Sequence, residues 1–264
     1  MHKNIHNENN LIEELYKDGI IKIKNILDTE ILDKIIIAKN EIFTNFPFGQ
    51  DKNYEKIDNG NTTTGDYPIK NLLDLNPIFK EIIKNEKIKY LTEKVLGKDY
   101  YLTNMSMRKI PNTDHILHTH RDYCGGLSFS LLLDDISLDQ GETFFYKNSH
   151  KNPPPNFVDI NDEKYEKIST TGNVGDMYFW FPDSWHGRNL NLTKNQTCIL
   201  MGDFENTNTR RRSTYIYDKP SNNKMGFLNK IFSNIGNNPN NLFKHFIYWD
   251  YFQYLKIFCL ESPF

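Results

Sequence analysis

The feature that most restricts how this chain can fold is a succession of short β-like segments in its second half. Residues 100–108, 127–133, 143–146, 176–181 and 197–204 each read as a strand bounded by Gly, Pro, Asn or Asp clusters. Many short strands separated by turn signals predict a sandwich or barrel. The helical signals lie ahead of this block and do not alternate with it. Leu11, Ile12, Leu15 and Tyr16 recur at helical spacing, Asp18-Gly19 punctuates, and Ile21-Lys22-Ile23-Lys24 alternates as a half-buried strand does. Asp28 is a candidate N-cap for a helix with the apolar face Ile31, Ile35, Ala38 and Ile42, ended by Pro47 and Gly49. Two more helices are predicted over 78–83 and 87–96, the latter stopped by Gly97. Helices first and strands afterwards argue against a βαβ repeat. The predicted class is mainly β with helices (α+β): a double-stranded β-helix, or cupin-like jelly roll, with a helical layer packed on one sheet.

A chain of 264 residues fits one such domain. We place it at residues 1–204, with 205–264 as an aromatic-rich helical extension. In that extension Phe243, Phe246, Tyr248, Trp249, Tyr251, Phe252, Tyr254 and Phe258 surround a helix instead of lining one stripe, so something covers them. Packing on its own domain, a subunit contact that makes a homo-oligomer, and a membrane-surface contact are all compatible with that pattern. Residues 51–68 are polar, with Asn59-Gly60 and Gly65 as turn signals, and read as a long surface loop that either covers a site or is an ordinary excursion.

The 32 Lys and Arg against 34 Asp and Glu leave a net charge of −2, which excludes a general attraction to nucleic acid or anionic membrane. The run Arg210-Arg211-Arg212 has no aromatic interleaving and reads as a solvated edge or a cation at a substrate mouth. Cys124, Cys198 and Cys259 form neither a C-x-x-C pair nor a disulfide framework, so a reducing cytoplasm is the expected compartment. The polar N-terminus lacks the apolar core of a signal peptide, and no transmembrane segment is expected.

Within the β block, His120-Arg121-Asp122 is answered by His186 in Phe181-Pro182-Asp183-Ser184-Trp185-His186. Residues i and i+2 of a strand point to one side, so His120 and Asp122 can converge while Arg121 points away. Two imidazoles and one carboxylate on one face of an octahedral ion leave three positions open, the facial arrangement of non-haem Fe(II) oxygenases. An H-x-D triplet alone is equally compatible with surface or satisfied core residues. His118 is a second-sphere group, an alternative ligand or a rim residue, and His115 and His150 sit in turn-like contexts that predict exposure. Tyr178, Trp180 and Trp185 either wall a pocket or fill the core.

The order of further segments carries a family resemblance. Lys17-Asp18-Gly19-Ile20-Ile21-Lys22-Ile23-Lys24, Val95-Leu96-Gly97-Lys98-Asp99, the triplet, Leu131-Leu132-Leu133-Asp134-Asp135, Gly141-Glu142-Thr143, Asn148-Ser149-His150-Lys151 and Gly175-Asp176 succeed one another over residues 11–204. This succession resembles the phytanoyl-CoA dioxygenase (PhyH-like) branch of the Fe(II)/2-oxoglutarate-dependent oxygenases. The resemblance implies that His120, Asp122 and His186 bind Fe(II), with 2-oxoglutarate and O2 as co-substrates. Asp122 stands where related halogenating enzymes lack a carboxylate, which implies a hydroxylase.

The chain departs from the family at one place. The family's arginine for the far carboxylate of 2-oxoglutarate falls about ten residues after the distal histidine, where this chain has Asn195-Gln196-Thr197-Cys198. Arg188 and Lys194 are the leading replacements for that cation, and Arg108 is a third, better suited to an anionic substrate. Ser128 and Ser130, which share a strand face, and Thr197 offer hydroxyl donors that are equally able to bond locally. The expected function is a non-haem Fe(II)- and 2-oxoglutarate-dependent dioxygenase that hydroxylates a small polar metabolite or biosynthetic intermediate and releases succinate and CO2. The missing arginine keeps a second expectation open, a metal-binding jelly roll without 2-oxoglutarate turnover. 

Overall fold

In the computed structural model, residues 3–45, 67–110, 117–122, 125–151 and 165–206 are described, and all belong to one compact unit. Helix α1 (Lys3–Asp18), strand β1 (Ile20–Ile23) and helix α2 (Thr29–Asn45) come first. Strand β2 (Tyr67–Ile69), α3 (Leu72–Leu75), a 3-10 turn (Pro77–Phe79), α4 (Lys80–Lys84) and α5 (Glu86–Leu96) follow. The β block comprises β3 (Tyr100–Ile110), β4 (Leu117–His120), β5 (Gly126–Leu132), β6 (Thr143–Tyr146), β7 (Lys167–Ser169), β8 (Met177–Trp180), β9 (His186–Arg188) and β10 (Thr197–Asn206).

The strands form two antiparallel sheets, a large one in the order β1-β8-β5-β10-β3-β2 and a small one in the order β4-β9-β6-β7. This is the predicted double-stranded β-helix. Alternation along β5 separates two cores. Leu127, Phe129 and Leu131 point outward into a core shared with Leu15, Ile35, Ile42, Phe79, Ile88 and Leu91 of the helices. Leu132 points inward with Ile110, Phe145, Tyr178, Trp180 and Ile199, between the sheets. The helical layer is thus fixed to the large sheet by an apolar face, and the opposite face, toward the small sheet, carries polar as well as apolar residues.

Local chemistry sets the boundaries. Asn85 caps α5, its side chain accepting from the N–H groups of Lys87 and Ile88 at 3.0 and 3.2 Å. Gly97 ends that helix with φ +78°, donating its N–H to Glu93. The expected loop over 51–68 is corrected at its end, because Pro68 lies buried in β2 and pairs with Arg108. A proline is tolerated there because β2 is an edge strand. The rest of that loop, Pro47 and Gly49, His115, Cys124 and Cys259, the arginine run and the aromatic extension lie outside the described residues. No helix among the described residues is long and apolar enough to cross a membrane.

Candidate metal centre

The short strands β4 and β9, which the sequence pattern did not reveal, are the ones that carry the histidines. They pair so that His120 stands opposite His186, and the ring centroids are 4.3 Å apart. The chain leaves β4 and turns back at once, and the Asp122 N–H donates to the Pro182 carbonyl at 2.9 Å. That bond ties the Asp122 end to the segment entering β9. It brings Asp122 Oδ1 to 3.8 Å from His120 Nε2 and Oδ2 to 3.7 Å from His186 Nε2. One ligand atom from each of the three residues lies within 4.8 Å of the others.

Both imidazoles are held in the tautomer that a metal needs. His120 Nδ1 is 2.7 Å from the His118 carbonyl, and His186 Nδ1 is 2.8 Å from the Ser184 carbonyl. A carbonyl only accepts, so each Nδ1 carries the proton and each Nε2 lone pair faces Asp122. Burial holds the His186 pKa below its ordinary value against the opposing pull of Asp122, which keeps the ring neutral. Phe145 stacks on His186 at 5.2 Å and an interplanar angle of 21°, fixing the ring plane. A divalent ion with bonds of about 2.1 Å fits between atoms spaced this way, since cis ligands on such an ion stand roughly 3 Å apart. The donor set fits the implied metal.

The other expected residues divide clearly. Arg188, two residues beyond His186 on β9, is buried at 5% exposure and on the same strand face. Arg108 is half-buried on β3, opposite Ile199. Lys194 is exposed on the turn before β10, so an anchor for a buried carboxylate is not where it stands. Ser128 Oγ is already committed to Asp203 Oδ1 at 2.5 Å, and Thr197 Oγ1 donates to the Gln140 carbonyl at 3.3 Å. These two take the local-bonding alternative. His118 is an exposed rim residue whose carbonyl, not its ring, serves the site.

His150 corrects an expectation of exposure. It is half-buried, with Nε2 3.1 Å from the Tyr16 carbonyl and its ring against Phe181. Next to it, Ser149 accepts from the Trp185 N–H at 2.9 Å and donates to the Tyr146 carbonyl. The Asn148-Ser149-His150 segment thus braces the loop that delivers His186. Tyr178 donates to the Thr171 carbonyl and Trp180 packs on Phe145, both between the sheets, whereas Trp185 lies with Phe144 and Tyr146 on the other side of the small sheet.

Sequence reasoning missed Asp203, Asn104 and Ser106. Asp203 sits on the inward face of β10 close enough to His186 to act on it electrostatically. Asn104 Nδ2 donates to its Oδ2 at 3.2 Å. The Ser106 hydroxyl, 2% exposed on the inward face of β3 between Asn104 and Arg108, has no hydrogen-bond partner among the described residues. Only the alternation within 100–110, counted back from Arg108, held a trace of these positions.

No protein-family model matches the sequence, and no curated protein matches it significantly. Solved structures do. The non-heme α-ketoglutarate-dependent epimerase SnoN of nogalamycin biosynthesis is 14% identical, with a TM-score of 0.64 over 76% of this chain and 84% of SnoN, and has also been solved with Fe3+, α-ketoglutarate and nogalamycin RO. AviO1 from Streptomyces viridochromogenes Tue57 is 16% identical, with a TM-score of 0.63 over 77% of this chain and 97% of its own. HygX from Streptomyces hygroscopicus, solved with nickel, 2-oxoglutarate and hygromycin B, is 13% identical, with a TM-score of 0.59 over 75% and 87%. At these identities the likeness establishes the fold, the double-stranded β-helix on which such enzymes are built.

Proposed function

We propose that this protein is a non-haem Fe(II)- and 2-oxoglutarate-dependent dioxygenase that hydroxylates a small polar metabolite in the cytoplasm. The observation that carries the reading is the convergence of His120 Nε2, His186 Nε2 and the Asp122 carboxylate, with both Nδ1 protons held by backbone carbonyls. Three ligands on one side leave the far side of an ion open to other molecules. Support also comes from the ordered segments that resemble the PhyH-like branch, and from a fold shared with enzymes solved with iron or nickel and 2-oxoglutarate.

Fe(II), with 2-oxoglutarate and O2, would supply the oxidising power to break a substrate C–H bond, with succinate and CO2 as by-products. The protein's own residues bind and orient. His120, Asp122 and His186 hold the metal. Arg188, on the inward face of β9 and two residues deeper than His186, supplies the cation for the far carboxylate of 2-oxoglutarate. The Ser106 hydroxyl, with Arg108 two residues along the same strand face, is placed to donate from the opposite sheet. Phe145, Trp180 and Ile199 exclude water beside this seat.

The test is succinate formation from 2-oxoglutarate by the full chain with Fe(II) under O2. Wild type is expected to form succinate, at least in slow turnover without substrate, and Asp122→Ala and His186→Ala are expected to form none. Equal succinate from the wild type and either variant removes the assignment. 

A further inference from the structure

The His186 imidazole is the near end of a chain of hydrogen bonds that leads away from the metal centre. His186 Nδ1–H donates to the Ser184 carbonyl at 2.8 Å. That carbonyl shares its peptide unit with the Trp185 N–H, which donates to Ser149 Oγ at 2.9 Å. The Ser149 hydroxyl donates to the Tyr146 carbonyl at 2.6 Å, and the other edge of that peptide, the Lys147 N–H, donates to the Glu166 carbonyl at 2.9 Å. A trans peptide carries its C=O and N–H on opposite edges, so one bond feeds the next and every donor in the chain points away from His186.

Ser149 is the only side chain between His186 and the Glu166 carbonyl. It is 0% exposed and Ser184 1%, so the middle of the chain is closed to solvent. The turn that holds Ser149 is fixed separately. The Asn148 N–H donates to the Asp18 carbonyl at 2.7 Å, and His150 Nε2 lies 3.1 Å from the Tyr16 carbonyl, both at the end of α1.

Hydrogen bonds in series polarise one another, and a peptide whose N–H is donating has a more negative carbonyl oxygen. A stronger acceptor at Nδ1–H leaves more electron density on Nε2, the atom that faces Asp122, and holds the ring in plane. Removing the Ser149 hydroxyl would leave the buried Trp185 N–H without its acceptor and free the Ser184–Trp185 peptide to rotate.

We infer that Ser149 is a positioning residue for the metal centre: through the Ser184–Trp185 peptide it sets the orientation and the donor strength of His186. This rests on the reading of His120, Asp122 and His186 as metal ligands.

The test compares Ser149→Ala, Ser149→Cys and Thr170→Ala in the full chain, with a thermal melt of each. In metal-free protein carrying isotope-labelled histidine, proton–nitrogen spectra report the His186 Nδ1–H signal, assigned by its loss in His186→Ala. Calorimetry gives the affinity for Ni(II). Ser149→Ala is expected to move the signal upfield, as a weakened hydrogen bond does, and to weaken Ni(II) binding about tenfold. Ser149→Cys, with a thiol that bonds more weakly than a hydroxyl, should fall between it and wild type. Thr170→Ala deletes another hydroxyl-to-carbonyl bond, from Thr170 Oγ1 to the Thr143 carbonyl at 3.0 Å, and should lower the melting temperature with signal and Ni(II) affinity unchanged. The inference is overturned if Ser149→Ala keeps the wild-type signal or the wild-type Ni(II) affinity, or if Thr170→Ala loses as much affinity. If Ser149→Ala does not fold, Ser149→Cys is judged by the same criteria. A wild type that binds no Ni(II) sinks the metal reading, and the His186 signal alone then decides the role of Ser149. Ni(II) binding that Ser149→Ala leaves untouched sinks only the role of Ser149.

Discussion

Replacing Arg188 by Met keeps most of the buried stem and removes the cation that we assign to 2-oxoglutarate. The size of the effect follows from its position. Two residues along a strand span about 7 Å on one face, close to the length of a five-carbon diacid whose other end is at the metal. At 5% exposure the guanidinium is little screened by solvent, so its bidentate contact belongs at the strong end of charge-assisted hydrogen bonds, about 3 kcal/mol. That corresponds to a loss of affinity on the order of 100-fold. Arg188→Lys keeps a charge without the planar fork and should fall between the two. Anaerobic calorimetry of 2-oxoglutarate binding to the Fe(II)-loaded protein measures this directly, with a thermal melt of each variant to confirm folding. Lys194→Ala is the control, expected to bind like wild type because the side chain is exposed. If Arg188→Met binds 2-oxoglutarate within a few-fold of wild type while folded and loaded with iron, or if Lys194→Ala is the weakened variant, the assignment of Arg188 is wrong.

Further outcomes follow from other parts of the structure. Burial raises the Asp183 carboxyl from 3.8 to about 6, against the pull of Arg121. Its folded form therefore binds the proton more tightly than the unfolded chain, and ionisation costs stability as pH rises from about 4 through 6. Asp183→Asn should match wild type at pH 4 and gain up to about 3 kcal/mol at pH 8 in urea unfolding; a gain at pH 4 instead would reverse the sign we derive. Gly19 has φ +80°, and an added Cβ would press on His150 Nδ1 and lie 2.7 Å from Ser184 Oγ. Because the Ser184 carbonyl holds His186, Gly19→Ala should lower both the melting temperature and Fe(II) affinity, and intact Fe(II) affinity would separate this turn from the metal. Burial pushes the Cys198 thiol far above its ordinary range, so it should label with thiol reagents only on unfolding, as mass spectrometry of the modified peptide would show.

Much of the architecture was legible because apolar alternation and helical periodicity are local. The five expected strands appear as β3, β5, β6, β8 and β10 with ends shifted by a residue or two, and α1, β1, α2 and α5 fall where capping and periodicity put them. The strands that escaped, β2, β4, β7 and β9, are three or four residues long and hold at most two hydrophobic residues each, where β1 and β6, equally short, hold three. They include the two that carry the histidines. The triad was nonetheless readable, since His120 and Asp122 needed only the two-residue alternation, and His186 the order of segments around it. Arg188 could be preferred over Lys194 only once β9 placed it on the His186 face and the turn left Lys194 in solvent. Asp203 and Asn104 were invisible, because their pairing depends on the register between strands 99 residues apart in sequence.

The central claim is tested most directly by adding Fe(II) and then 2-oxoglutarate to the full chain without oxygen and recording the visible spectrum. We expect one Fe(II) per chain and a weak charge-transfer band that appears only when 2-oxoglutarate chelates the metal, absent in His186→Ala. A wild-type protein that binds no Fe(II), or that binds it and gives no band with 2-oxoglutarate, would contradict the account.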